Sequence, residues 1–217
     1  MSKNSKKQAA DRKARVEAMR RAEKSRERRN RIITVTISTV IVAGLIGWGT
    51  YAISNANQKK EQQAATAAKP ISGEKTWDAG KLGRNHVQGK VAYPMNPPVG
   101  GDHNPVWMTC NGNVYTKAVP NENAVHSLEH GAVWVTYNGK ATQADVKTLA
   151  DRITKTPYTL MSPDSTQSGT ITLSAWGHQL SVNTAADPRV DQFLTKYVQG
   201  PQTPEPGAAC TGGLTAS

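Results

Sequence analysis

The sequence contains no motif that by itself specifies a reaction, and no segment of it repeats another. Acidic residues are scarce where basic residues are dense, because residues 1–31 hold thirteen Lys and Arg but only four Asp and Glu. This tail supplies nine of the eleven net positive charges of the 217-residue chain. The remaining residues are nearly neutral and lack the basic surface of a nucleic-acid-binding domain. The charge distribution therefore excludes nucleic acid as a partner of the folded part.

Charged residues are also missing from Ile32 to Ala56, directly after the basic tail. As a helix, residues 32–53 would span roughly 33 Å, close to the hydrocarbon thickness of a bilayer. Arginines precede this run, and Trp48 and Tyr51 lie toward its other end, as the positive-inside rule and the aromatic belt require. The sequence thus predicts a transmembrane helix at residues 32–54 in the plasma membrane, with residues 1–31 as a cytoplasmic tail and the C-terminal domain extracellular.

A cleaved signal peptide is the alternative interpretation of the same run. Ser54-Asn55-Ala56 resembles a cleavage site, but the charged leader and the long apolar run are typical of an anchor. Membrane lipids are then the predicted partners of the span, and anionic lipids the predicted partners of the basic tail. A membrane-protein complex is a further predicted partner.

Apolar periodicity is absent from residues 55–83, which are polar and rich in Ala and Gln. This composition predicts a linker between the membrane and a folded domain. Apolar patterning resumes near His86, so the sequence predicts an extracytoplasmic domain at residues 84–200. Residues 201–217 form a Pro/Gly-rich C-terminal tail.

The pattern within residues 84–200 predicts an α+β fold. Strands are expected at residues 132–137, 158–161, 170–175 and 179–182, where β-branched and aromatic residues are dense. Thr142 and Asp187 are typical helix N-caps, and each precedes an apolar stripe at helical spacing. Their order along the chain predicts a small antiparallel or mixed sheet covered by two helices.

Cysteine is nearly absent, with only Cys110 and Cys210 in the chain. The predicted topology places both residues outside the cytoplasm, where disulfides persist. We therefore expect a disulfide that ties the C-terminal tail back to the loop after Trp107. Ligation of copper by one or both cysteines is the alternative.

Histidines and a glutamate are concentrated in two short stretches, which contain His103, His126, Glu129 and His130. Three imidazoles and a carboxylate would suit zinc, whereas addition of Met95 or Met108 would suit copper. Binding of an organic ligand or a peptide is a second interpretation, and a purely structural role is the third. In that case His126 and His130 donate to loop carbonyls and Glu129 pairs with His103, which satisfies the buried polar groups.

Residues 126–130 also have the HxxEH spacing of inverted zinc peptidases, in which two histidines bind zinc and the glutamate activates water. The strand expected from residue 132 leaves little room for a supporting helix, and Glu205 lies in a Pro-rich segment that is unsuited to a rigid third ligand. The sequence therefore favours a non-enzymatic role. His86 and His178 are interpreted as incidental.

The motifs PPVGGDH, NAVHSLEHGAVWVTY, SAWG and PEPG resemble a bacterial, mainly actinobacterial, family of uncharacterised exported or membrane-anchored domains. The resemblance covers about residues 86–213, and HSLEHG is its most specific element. It implies a location and an architecture but no activity. Two functional hypotheses remain from the residues themselves: a non-enzymatic interaction or accessory module of the cell envelope, and a metal-binding domain.

Overall fold

The computed structural model describes the backbone of residues 3–67 and 69–215. Within the first helix it describes the side chains of residues 12–13, 15–36, 41, 44–55 and 58. Contacts divide the chain into two units, residues 1–60 and 61–217. The described part of the first unit belongs to one long helix, α1 (Lys3–Ala67).

Helix α1 runs through the predicted tail, the predicted span and the first part of the predicted linker. Ala, Arg, Lys and Glu predominate in its first half, and these residues have high helix propensity. Among the described residues, no helix has the length and apolar character needed to cross a membrane. The predicted span includes residues 37–40 and 42–43, whose side chains lie outside the described set. The transmembrane helix therefore stays a prediction.

The second unit is built on a mixed sheet, which has six strands within residues 69–215. In spatial order the strands are β1, β6, β5, β3, β4 and β2. The pairs β3–β4 and β2–β4 are parallel, whereas β3–β5, β5–β6 and β1–β6 are antiparallel. The strands are β1 (Lys75–Thr76), β2 (Asn111–Val114), β3 (Val133–Tyr137), β4 (Thr159–Pro163), β5 (Ile171–Ala175) and β6 (His178–Val182).

Helices α3 (Gln143–Ile153) and α4 (Pro188–Tyr197) are the two helices that the sequence predicts. The hydroxyl oxygen of Thr142 accepts from the Asp145 backbone N–H at 3.1 Å, and the Asp187 carboxylate caps α4 in the same way. Both helices bury their apolar stripes against one face of the sheet, in a cluster that includes Val133 and Val135. The α+β class, the mixed sheet and both helices are confirmed.

Helix α2 (Asn121–Glu129), a further α-helix of this domain, is not predicted by the sequence. Side chains alternate along a strand, so Trp134 of β3 points away from Val133 and Val135. Trp134 packs instead with Leu128 of α2 in a second hydrophobic cluster. The prediction of a sheet covered by two helices was therefore incomplete, because α2 covers the opposite face.

The folded unit begins earlier than the predicted boundary at residue 84. Ile71 is buried in the first hydrophobic cluster, and β1 pairs with β6. The buried Glu74 carboxylate accepts a hydrogen bond from the Tyr197 hydroxyl and lies 2.9 Å from His178 Nδ1. His178 is thus a structural residue that holds the start of the domain. The linker predicted at residues 55–83 therefore ends earlier than expected, before Ile71.

The C-terminal tail lies against the loop before β2. Cys110 and Cys210 form a disulfide with a Cα–Cα distance of 4.8 Å, as predicted. Backbone hydrogen bonds accompany it: Cys110 N–H donates to the Cys210 carbonyl at 2.8 Å, and Leu214 N–H donates to the Trp107 carbonyl at 2.9 Å. The predicted attachment of the tail to this loop is confirmed.

Candidate metal centre

Helix α2 presents His126 and Glu129 from its last turn, and His130 follows as its C-cap residue. The spacing of four residues puts His126 and His130 on one face, and their ring centroids lie 4.6 Å apart. A supporting helix therefore does exist before β3, so the expectation that the strand leaves little room for one is wrong. Gly131 makes the short connection feasible, since its φ is +90° and a Cβ there would lie 2.8 Å from Thr203.

His103 reaches the same place from the Pro/Gly-rich loop. It is fully buried, and its Nδ1 lies 2.7 Å from the carbonyl oxygen of Gly101, whose φ is +122°. The backbone N–H of His103 donates to the Asn85 carbonyl at 3.0 Å, and Val87 N–H donates to the His103 carbonyl at 2.8 Å. This local pairing sets His86 beside His103.

Four side chains converge at this point: His86, His103, His126 and Glu129. One potential ligand atom from each lies within 4.8 Å of the other three. Glu129 Oε2 is 2.8 Å from His103 Nε2 and 3.9 Å from His86 Nε2. The His126 ring stacks on the His86 ring at a centroid distance of 4.8 Å. We refer to these four residues as the His/Glu cluster.

Backbone carbonyls fix the orientation of the buried imidazoles. His103 Nδ1 donates to Gly101, His126 Nδ1 donates to Asn104 at 2.7 Å, and His130 Nδ1 donates to Ala209 at 2.8 Å. A carbonyl oxygen only accepts, so Nδ1 carries a hydrogen in each ring. Nε2 is then the nitrogen that remains for other contacts. The predicted bonds from His126 and His130 to loop carbonyls are thus confirmed.

Glu129 is the anionic group of the cluster. Arg84 Nε donates to its Oε1 at 2.7 Å, while Oε2 faces His103. Burial would raise the pKa of Glu129, but His103 and Arg84 outweigh burial and lower the pKa to about 2. Glu129 is therefore ionised at neutral pH.

The imidazoles differ in their protonation. Burial lowers the pKa of His126 to about 4, although its bond to Asn104 opposes the shift. Burial also lowers the pKa of His130. For His103, burial is outweighed by the pairing with Glu129 and the bond to Gly101, so its pKa is raised. The His103 Nε2 is buried and not aligned for a hydrogen bond, even though Glu129 Oε2 is 2.8 Å away.

Three of the four predicted ligands, His103, His126 and Glu129, belong to the His/Glu cluster, and the predicted pairing of His103 with Glu129 is observed. His130 lies next to the cluster, and its Nε2 is 3.9 Å from Glu205 Oε2. His86 is the fourth member of the cluster. The sequence analysis treats it as incidental because the residues next to it in sequence include no other candidate ligand. Its backbone pairing with His103 is the feature that brings it in.

The two cysteines are not available for the predicted ligation of copper. Cys110 and Cys210 are joined to each other, so neither offers a thiolate. Met108 is fully buried in the second hydrophobic cluster.

Trp107 packs beside His126 and His130 at centroid distances of 5.7 and 5.0 Å, and Trp176 packs beside His103 at 6.0 Å. The cluster therefore combines imidazoles and a carboxylate with aromatic walls.

Comparison with known protein families matches residues 86–212 to DUF3105, Protein of unknown function. No curated protein and no solved structure matches the chain. The match spans more than half of the chain and includes the whole His/Glu cluster and both cysteines. It agrees with the predicted family of unknown function, whereas the motif pattern and the actinobacterial distribution stay predictions. The chain belongs to the DUF3105 family.

Proposed function

We propose that the extracytoplasmic domain binds a divalent transition-metal ion, with zinc as the best fit, through the His/Glu cluster. The observation that carries this proposal is the shared orientation of His103 and His126. Each ring donates Nδ1–H to a backbone carbonyl, which leaves Nε2 as the free nitrogen at the cluster. Histidines that bind metals are held in this way, because a fixed Nδ1–H sets the tautomer and increases the basicity of Nε2.

The donor set fits zinc in number and type. Zinc prefers four ligands in a tetrahedron and accepts imidazole and carboxylate at about 2.0–2.2 Å, which places neighbouring donor atoms about 3.3 Å apart. The two distances of 2.8 and 3.9 Å from Glu129 Oε2 bracket this separation. Three imidazoles and a carboxylate without a thiolate or thioether also favour zinc over Cu(I).

Charge favours a cation here as well. Glu129 is an ionised carboxylate and His126 is neutral, so both are in the state that binds a metal. His103 Nε2 and Glu129 Oε2 face each other at 2.8 Å. Two lone pairs would repel at that distance, so either a proton or a metal ion must separate them. A divalent ion would replace the proton of His103.

Zinc is expected to bind the purified, untagged full-length protein at one ion per chain, and to raise its thermal unfolding midpoint. An ion that binds only the folded state stabilises it by about 2.7 kcal/mol when its concentration is 100-fold above Kd. Elemental analysis after dialysis gives the stoichiometry, and differential scanning fluorimetry gives the midpoint. Mg²⁺ serves as the control, since it prefers oxygen ligands and should not shift the midpoint. Equal midpoints with Zn²⁺, Cu²⁺, Mg²⁺ and chelator would contradict the proposal.

A binding role is favoured over hydrolysis of the HxxEH type by the position of Glu129. In a hydrolase of that kind this glutamate would activate water, but here Arg84 holds one oxygen at 2.7 Å and His103 faces the other. The second histidine of the motif, His130, is not one of the four residues of the cluster, and its Nε2 lies 3.9 Å from Glu205 Oε2. We therefore propose a non-enzymatic accessory module of the cell envelope that holds a metal ion.

We also propose that residues 32–54 anchor this module in the plasma membrane, with residues 1–31 in the cytoplasm and the domain extracellular. The absence of charge from residue 32 to residue 56 and the arginines before it support this location. The disulfide supports it too, because disulfides persist outside the cytoplasm. The basic tail would then lie close to anionic lipid headgroups.

Fusion of a reporter to each end of the chain is expected to give opposite results. A fluorescent protein that matures only in the cytoplasm should give signal at the N-terminus, which is the matched control, and none at the C-terminus. An alkaline phosphatase, which needs an oxidising compartment, should show the reverse pattern. Cytoplasmic fluorescence from the C-terminal fusion at the level of the N-terminal fusion would contradict the proposed topology.

A further inference from the structure

His86 differs from the other members of the His/Glu cluster in its exposure. Its side chain is 49% exposed, whereas the side chains of His103 and Glu129 are 0% and 2% exposed. His126 is buried as well. The cluster therefore has a closed side formed by three residues and an open side formed by one.

The three buried members are each held by a directed contact. His103 and His126 are fixed by their bonds to carbonyls, and Glu129 is fixed by Arg84. Within residues 69–215, the His86 ring makes no hydrogen bond that would fix it in the same way; it stacks on His126, and its Nε2 lies 3.9 Å from Glu129 Oε2. Of the four side chains, that of His86 is thus the one that moves with the smallest cost in free energy.

His86 lies farther from Glu129 than a tetrahedral zinc site requires. Two ligands on opposite sides of one ion at about 2.1 Å are about 4.2 Å apart, which is the largest separation that a single ion allows. The 3.9 Å between His86 Nε2 and Glu129 Oε2 is close to this limit, and it exceeds the separation of about 3.3 Å between neighbouring donors of a tetrahedral zinc ion. Inward movement of His86 would complete the coordination, and outward movement would expose the ion to solvent.

We infer that His86 is the exchangeable ligand of the proposed metal site, through which the ion reaches and leaves His103, His126 and Glu129. This inference rests on the proposed function. In the exchange, the bond from the metal to His86 Nε2 breaks as a bond to an incoming thiolate or carboxylate of the acceptor forms, and no electron is transferred. The site is then built to pass a divalent ion to another ligand rather than to hold it permanently, as a closed structural site would.

The test measures zinc dissociation from the full-length protein into an excess of a chromogenic chelator. The His86→Ala variant is expected to bind one zinc ion but to release it about 10-fold faster or more. Millimolar imidazole should restore slow release, because the free ligand reaches the open side of the site. The His103→Ala variant, whose missing ring lies on the closed side, should not respond to imidazole. His178→Ala, a histidine outside the cluster, is the matched control and should release zinc at the wild-type rate.

Two results separate this inference from the proposed function. Release from His86→Ala within twofold of the wild-type rate, or a variant that does not respond to imidazole, would overturn the exchange role while the metal site stands. A wild-type protein that retains no zinc after dialysis would overturn both. Circular dichroism of each variant checks that the fold is intact. Because His86 is exposed, its replacement should affect stability least among the three histidine variants.

Discussion

Replacement of Glu129 by glutamine is expected to weaken zinc binding by more than about 100-fold. Loss of a residue that only supports a metal ligand typically costs 10–100-fold in affinity, so loss of the one anionic ligand should exceed that range. The change keeps the size of the side chain but removes the negative charge that faces His103 and Arg84. Competition with a chelator of known affinity measures the effect.

Glu122→Gln is the matched control for this prediction. Glu122 lies on the same helix and is also buried, but its carboxylate accepts from the Val91 backbone N–H at 3.0 Å and from Lys90 Nζ at 3.2 Å. Its replacement should lower stability while the zinc affinity of the folded protein remains unchanged. Zinc affinities of Glu129→Gln and wild type that agree within threefold would remove Glu129 from the ligand set.

Removal of the disulfide by the double change Cys110→Ser and Cys210→Ser is expected to lower the free energy of unfolding by about 2–5 kcal/mol. The two cysteines are 100 residues apart in sequence, so the bond closes a long loop and removes many conformations from the unfolded chain. The bond also holds the tail segment whose Ala209 carbonyl orients His130. Urea denaturation followed by tryptophan fluorescence measures the loss.

Reduction provides the control for the disulfide prediction. A reducing agent should lower the stability of the wild-type protein toward that of the double variant and leave the double variant unchanged. A loss below about 1 kcal/mol would show that the backbone contacts of Cys110 and Leu214 alone hold the tail. It would also contradict the chain-entropy explanation.

Sequence periodicity was sufficient to predict the helices and strands that bury apolar side chains. Helix α4 shows why: Val190, Phe193, Leu194 and Tyr197 lie on one helical face, and all four are buried. Local signals also set its start, because Asp187 caps the helix and Pro188 fits its first turn. The same reasoning located α3 and strands β3 to β6. These elements depend on neighbours within one or two turns, which a sequence displays directly.

Helix α2 escaped prediction because its buried face is largely polar. Asn123 Nδ2 donates to the Val106 carbonyl at 2.5 Å, and Ser127 Oγ donates to the Met108 carbonyl at 2.7 Å. Such residues suggest an exposed loop when only hydropathy is considered. Their burial is stable because partners from the loop before β2 satisfy them, and those partners become neighbours only in the folded chain.

The extent of the domain was also decided by tertiary contacts. Residues 71–76 have a polar, linker-like composition, yet Ile71 enters the core and Glu74 is bound by Tyr197. A two-residue strand such as β1 shows no periodicity of its own. Its pairing depends on β6, which is about a hundred residues away.

By itself the sequence determined the charge-free run after a basic tail, the α+β class, the disulfide pair and three members of the His/Glu cluster. Each of these follows from composition, local spacing or the small number of residues of one type. Only the tertiary structure decided that His86 replaces His130 in the cluster, and that carbonyls of Gly101 and Asn104 orient the rings. The physical reason is that a binding site requires side chains to converge within a few ångströms, and folding brings together residues that are distant in sequence.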